Sequence, residues 1–246
     1  MRRARTFAGA DFSRDTAPDS CYKSTAMIRR DFVMRTIQQM TQALASVLRL
    51  KGHQEYQQAL REIGRALREF GEGDESPDHR RTLNDWLALC RKNPGSAGGV
   101  MLAVADVLRE QGEIFSLQDK AADGLCARQL AAGLFIEAML REECFVSGDL
   151  VSKVEQLVEQ CAASPMPPEL LCRLVSYFEV RGDFARAEDA LFEWLDTGDP
   201  EAASEGRTFY ERLAAMSDDT LVQGGLTRAE IEQGAGDWES ALKRRA

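Results

Sequence analysis

The residues best equipped for chemistry are six cysteines and two histidines in a chain of 246 residues. The cysteines are Cys21, Cys90, Cys126, Cys144, Cys161 and Cys172, and no two of them form a C-x-x-C pair. Neither His53 nor His79 is close to a cysteine in sequence. A zinc site asks for four N, S or O ligands in tight geometry, usually at paired short spacings, so this pattern argues against a metal site. Cys126, Cys144, Cys161 and Cys172 fall among apolar positions with helical spacing. They read as reduced thiols packed like small hydrophobes, which suits a reducing cytoplasm.

Catalysis finds no stronger footing. His53 falls at a helix–helix turn and His79 in a polar loop, and each reads as a solvated residue rather than a general base. Neighbouring acids such as Glu142 and Glu143 project to different sides of a helix. Asp218 and Asp219 read as acids at a helix N-terminus. The chain holds no G-x-S-x-G, no Walker loop and no H-E-x-x-H. The expectation is a non-enzyme with no catalytic residue, no metal residue and no cofactor.

Charge is unevenly placed. Residues 28–70 hold eight Lys/Arg (Arg29, Arg30, Arg35, Arg49, Lys51, Arg61, Arg65, Arg68) against Asp31, Glu55, Glu62 and Glu69, a net of +4. Residues 1–26 carry a net of +2; with the whole chain at -9, the part from Gly71 onward is left at -15. A basic hairpin on an acidic body points to an acidic protein partner, or to the acidic body of a second copy. Arg29, Arg30 and Arg35 are the candidate contact residues. The same charges allow a second reading, nucleic-acid or ribonucleoprotein binding, although the acidic body would repel a duplex.

Those residues need elements to hold them, and the apolar spacing supplies helices. Val33, Ile37, Met40, Leu44, Val47 and Leu48 recur in steps of three and four, as do Tyr56, Ala59, Leu60, Ile63, Leu67 and Phe70. Gly52 breaks the run between them, so residues 27–73 predict an antiparallel hairpin. Residues 74–96 read as a linker holding a short helix, Thr82 to Lys92, stopped by Asn93-Pro94-Gly95. Further helices are expected over Ala97 to Phe115, Asp119 to Cys144, Asp149 to Cys161, Glu169 to Arg181 and Asp183 to Asp196. Another runs from Pro200, after the N-cap Asp199, to Met216. Thr227-Arg228-Ala229-Glu230 is a capping box. No β-strand is evident. The longest apolar stretches, Gly98 to Ala105 and Leu130 to Ile136, fall far short of the roughly 20 residues of a membrane span. Residues 1–26 lack an apolar secretory core and read as a disordered tail, with Met27 a candidate start.

Three glycines stand in one pattern: Gly148-Asp149-Leu150, Gly182-Asp183-Phe184 and Gly236-Asp237-Trp238. Each predicts a tight interhelix turn at glycine, an aspartate cap on the next helix and an aromatic packing back on the first. The first two lie 34 residues apart, and over Glu169 to Pro200 the residues Leu171, Leu174, Phe178, Gly182, Phe184 and Ala187 resemble a tetratricopeptide repeat. Val175 and Trp194 stand where that signature has small residues. The hairpin from Thr41 to Leu67 is similar through Leu44, Ala45, Leu48, Gly52, Tyr56, Ala59 and Ala66, with two extra turn residues. The Gly148 unit departs at Glu137 and Arg141, and the Gly236 unit keeps only its second half.

The resemblance implies an all-α, irregular tetratricopeptide-like solenoid of stacked hairpins, with 97–246 as the repeat domain. It further implies a peptide groove lined by Glu169, Cys172, Ser176 and Glu179. These acidic and small residues differ from the lysines and asparagines that clamp a C-terminal carboxylate in such domains, so a basic or mixed peptide is expected. The opening Met27-Ile28-Arg29-Arg30-Asp31-Phe32-Val33-Met34-Arg35 also resembles a family of uncharacterised bacterial helical proteins. The segments Phe209 to Leu213 and Gly224 to Leu226 resemble that family's closing part. The functional expectation is a cytoplasmic scaffold that binds another protein or peptide, or itself, and no membrane.

Overall fold

A computed structural model describes residues 19–71, 81–92, 97–141 and 147–245, with side chains described from Val33 onward. These residues form eleven helices and no strand. They are α1 (Asp19–Gly52), α2 (Tyr56–Phe70), α3 (Leu83–Arg91), α4 (Ala97–Leu117), α5 (Ala121–Leu140) and α6 (Gly148–Cys161). The C-terminal half adds α7 (Pro168–Arg181), α8 (Phe184–Asp196), α9 (Pro200–Ala214), α10 (Asp218–Gln223) and α11 (Arg228–Arg245). Helix α1 starts at Asp19, inside the segment expected as a tail; residues 1–18 lie outside the described residues, as do 93–96.

The helices pair as antiparallel hairpins: α1 with α2, α4 with α5, α5 with α6, α7 with α8, and α9 with α11. One buried core runs from Val33 to Ala241. Four of the chain reversals share one backbone device. A residue with positive φ (Gln54, 60°; Asp119, 58°; Gly182, 71°; Gly225, 86°) ends the helix. The next N–H then reaches back five residues: Glu55 to Leu50 at 2.9 Å, Lys120 to Phe115 at 2.9 Å, Asp183 to Phe178 at 2.8 Å and Leu226 to Leu221 at 3.0 Å. This is the six-to-one bond that satisfies an orphan carbonyl at a helix C-terminus. In each case the accepting residue is apolar and buried.

The glycine pattern therefore marks a turn once in three. Gly182 is the left-handed cap and Asp183 accepts from the Arg186 N–H. Gly148, by contrast, is the first residue of α6, and Ser147 rather than Asp149 caps that helix. Gly236 lies inside α11, which runs through without a turn. Other glycines serve close contact. A Cβ on Gly112 or Gly124 would sit 3.0 Å from the other's carbonyl oxygen, so α4 and α5 touch there backbone to backbone. Gly206 lies directly under the Trp238 ring, and Phe192 meets the same ring edge-on with centroids 5.2 Å apart.

Polar contacts lock the stack between helices. Lys51 of α1 reaches Glu110 at 2.6 Å and Glu113 at 2.5 Å on α4. Glu110 is only 2% exposed and takes Arg109 at 2.7 Å as well, so its buried charge is met from two sides. Burial works against the Lys51 charge, but the two carboxylates outweigh it and hold the ammonium above its ordinary value. Further along, Lys153 of α6 pairs with Asp106 of α4 at 2.8 Å. At the C-terminal end the Gly224 carbonyl accepts from the Phe184 N–H at 2.8 Å, joining the α10–α11 turn to the start of α8. The capping box at Thr227 and Glu230 forms as the sequence predicts and holds the Glu230 carboxyl below its usual range.

The equivalent turns predict opposite signs for one kind of substitution. A left-handed backbone costs a non-glycine residue about 1 kcal/mol, so Asp119→Gly should raise the melting temperature and Gly182→Ala should lower it. Each shift should correspond to roughly 1 kcal/mol in urea titrations. Same-sign shifts would remove the left-handed assignment from one of the turns.

Candidate functional site

Glu169, Cys172, Ser176 and Glu179 do share a face of α7, but they do not form one open groove. Glu179 accepts from both Nε and one Nη of Arg212 on α9, each at 2.6 Å, and is 16% exposed. Its hydrogen bonds come first among the forces that push the Arg212 guanidinium well above its ordinary value. Glu179 is thus a clamp between two hairpins. Ser176 is exposed and donates to the Cys172 carbonyl. Glu169 lines a cavity of about 240 Å³ with Leu83 of α3 and Cys126 and Leu130 of α5.

Helix α3 covers the neighbouring surface. Thr82 and Asp85 form its capping box, and Leu83, Trp86, Leu87 and Cys90 are buried. Leu83 sits on Gly133 of α5, the close approach that leaves no room for a Cβ. Glu137 of α5 takes Arg91 of α3 at 2.8 Å and Arg173 of α7 at 3.2 Å. This side of the α5–α7 pair is filled by the chain itself.

The basic hairpin keeps part of its charge free. Arg35, Arg49, Arg61 and Arg68 are exposed. Lys51 is spent on Glu110 and Glu113, and Arg65 on Glu62 at 2.6 Å and Glu69 at 3.6 Å. Arg29 and Arg30 fall on α1, but their side chains lie outside the described residues. His53 is exposed at the α1–α2 turn, and His79 is outside the described residues. Among the described residues no three His, Cys, Asp or Glu side chains are placed to hold a metal ion, and no helix is long and apolar enough to cross a membrane.

A larger concavity lies between α6 and α8. It has a volume of about 420 Å³. Leu174 and Phe178 of α7 form its floor, with Val158 and Ala162 of α6 and Ala190 of α8 as walls. Two pairs of acids, each spaced i to i+4, rim it: Glu155 and Glu159 on α6, Asp189 and Glu193 on α8. One end is already furnished. Arg186 lies over the Phe178 ring, 4.0 Å from its centroid, and pairs with Glu155 at 2.8 Å. Tyr177 donates to the same carboxylate at 2.9 Å, and burial, then that bond, pushes its hydroxyl well above the ordinary range. Toward the other end Glu193 accepts from the Met166 N–H at 3.4 Å. Glu159 and Asp189 are exposed, and neither pairs with a cation among the described residues. The sequence reading followed the α7 face and missed this groove. Its signal was the i, i+4 acids flanking the apolar run Val154, Leu157, Val158 and Cys161.

Comparison with known proteins gives one match. The profile of a family described as "Family of unknown function (DUF6483)" matches residues 27–243. No curated protein and no solved structure matches.

None of the described cysteines, Cys90, Cys126, Cys161 and Cys172, is in a disulfide. Cys90 and Cys161 are buried, whereas Cys126 and Cys172 are half-buried. Burial pushes the Cys90 thiol up to about 12 and the Cys161 thiol up to about 11, against an ordinary 9.0. The fold favours the neutral thiol, so the stability this adds is complete below pH about 9 and is lost as pH rises through 11 and 12. At pH about 8, well below both values, iodoacetamide should label Cys90 and Cys161 only when urea unfolds the chain. Fast labelling of either in the folded protein would take it out of the core.

Proposed function

The chain belongs to this family of unknown function, and from its geometry we propose that it is a non-catalytic protein-interaction scaffold of the tetratricopeptide-like kind. The observation that carries the reading is the concavity of about 420 Å³ between α6 and α8, rimmed by Glu155, Glu159, Asp189 and Glu193. A concavity with a few polar groups placed around it is the usual form of a binding site. The α7–α8 hairpin supports the repeat resemblance: Leu171, Leu174, Phe178, Phe184 and Ala187 are buried, and Gly182 makes the turn. Four described cysteines outside any disulfide fit work in a reducing cytoplasm. Fold alone does not assign a function, so the reading stands on the groove and not on the repeat.

The nucleic-acid reading loses ground because Lys51 and Arg65 are neutralised within the chain. Affinity capture from native lysate separates the two readings. Wild type runs beside an Arg29→Glu, Arg30→Glu, Arg35→Glu variant, with nuclease and at low and moderate salt. A discrete protein retained after nuclease and moderate salt is the expected result. Recovery of nucleic acid alone, lost with salt or with the charge reversal, would overturn the scaffold reading.

A further inference from the structure

We propose that the α6–α8 groove docks a basic segment of a partner protein, with one apolar side chain entering the concavity beside Ala162 and flanking Arg or Lys side chains on Glu159 and Asp189. This deepens the scaffold reading and rests on it. The argument begins with charge. Four carboxylates rim the groove, and the one cation among its lining residues, Arg186, is already matched by Glu155. Glu159 and Asp189, on opposite walls of the groove, pair with no cation among the described residues. A segment that brings its own positive charges completes them. An acidic or neutral segment leaves them facing each other or a like charge.

The chain shows in its own residues how the groove holds such a group. The Arg186 guanidinium rests on the Phe178 ring while Glu155 holds it from the side. An arginine from outside would meet carboxylate walls one helical turn further along, at Glu159 and Asp189. Helices α6 and α8 set the spacing. Glu155 and Glu159 on one wall, and Asp189 and Glu193 on the other, each rise by about 6 Å along the groove. That matches residues two apart in an extended segment or one turn apart in a helix. The apolar anchor supplies affinity, and the charges supply direction and rate of approach.

The test is a selection from a random peptide library displayed on phage, run on the full chain. Two variants run beside it. Glu159→Lys with Asp189→Lys reverses the free charges at exposed positions, and Ala162→Trp fills the mouth of the groove without changing charge. Circular dichroism and thermal melts establish that both variants fold. The expected result is a set of peptides with Arg or Lys flanking a Leu, Met or Phe. The best of these should lose about tenfold or more in affinity on each variant, with a steep salt dependence. Selection of acidic or uncharged peptides, no enrichment, or binding that neither variant weakens would overturn the assignment. Salt-sensitive self-association that both variants abolish would instead make a second copy the occupant, and would overturn it too. A protein captured from lysate, together with a failed selection, would remove the basic segment as the groove's occupant and leave the scaffold reading in place.

Discussion

Everything in this chain depends on reversing direction without losing backbone hydrogen bonds. A helix that stops inside a packed stack leaves carbonyls with no partner, and burying them unmet costs more than a hairpin returns. The left-handed residue followed by a six-to-one bond solves this at Gln54, Asp119, Gly182 and Gly225. The same device places an apolar residue (Leu50, Phe115, Phe178 or Leu221) at the foot of the turn, where it enters the core. Turn and core are thus specified together. Phe178 shows the link to the candidate site most directly, because it accepts the turn's hydrogen bond through its carbonyl and lies under Arg186 with its ring.

Close packing then fixes how far apart the hairpins lie. Gly112 against Gly124, Gly133 under Leu83 and Gly206 under Trp238 set three interhelix distances at which a methyl group would collide. Between these contacts the charged residues act as cross-links. Lys51 to Glu110, Arg173 to Glu137 and Arg212 to Glu179 each join helices from different hairpins. An acidic chain with net charge -9 thereby spends many of its cations internally. The carboxylates left over, Glu159 and Asp189 among them, become the available surface charge.

Most of the helices were legible because apolar spacing and capping residues agreed. Thr82, Asp199 and Thr227 mark helix starts in sequence and in structure. The turns were less legible because the left-handed position does not require glycine. Gln54 and Asp119 occupy it without the sequence signal, while Gly148 and Gly236 carry the signal without the turn. Leu48 was read as core, yet it is exposed; the buried stripe of α1 is centred on Val33, Met40 and Val47, and Leu48 lies about 100° around the helix from Val47. The role of Glu179 was hidden because Arg212 is 33 residues away, beyond any local spacing rule. The α6–α8 groove was hidden for the same reason, since its two walls belong to different hairpins.

Helix α5 is buried without interruption from Leu130 to Ile136, and α3, α4, α6 and α7 all pack on it. A regular repeat array behaves as a row of near-independent units, so that it lengthens or shortens by whole repeats and opens from its ends. A helix enclosed on every side makes the array indivisible at that point. Beyond α8 no helix among the described residues is enclosed in this way, and α9 packs on α8 and α11. The architecture is a stack of hairpins at its C-terminal end and an orthodox globular core at its centre, so local opening is confined to the end that is still a stack.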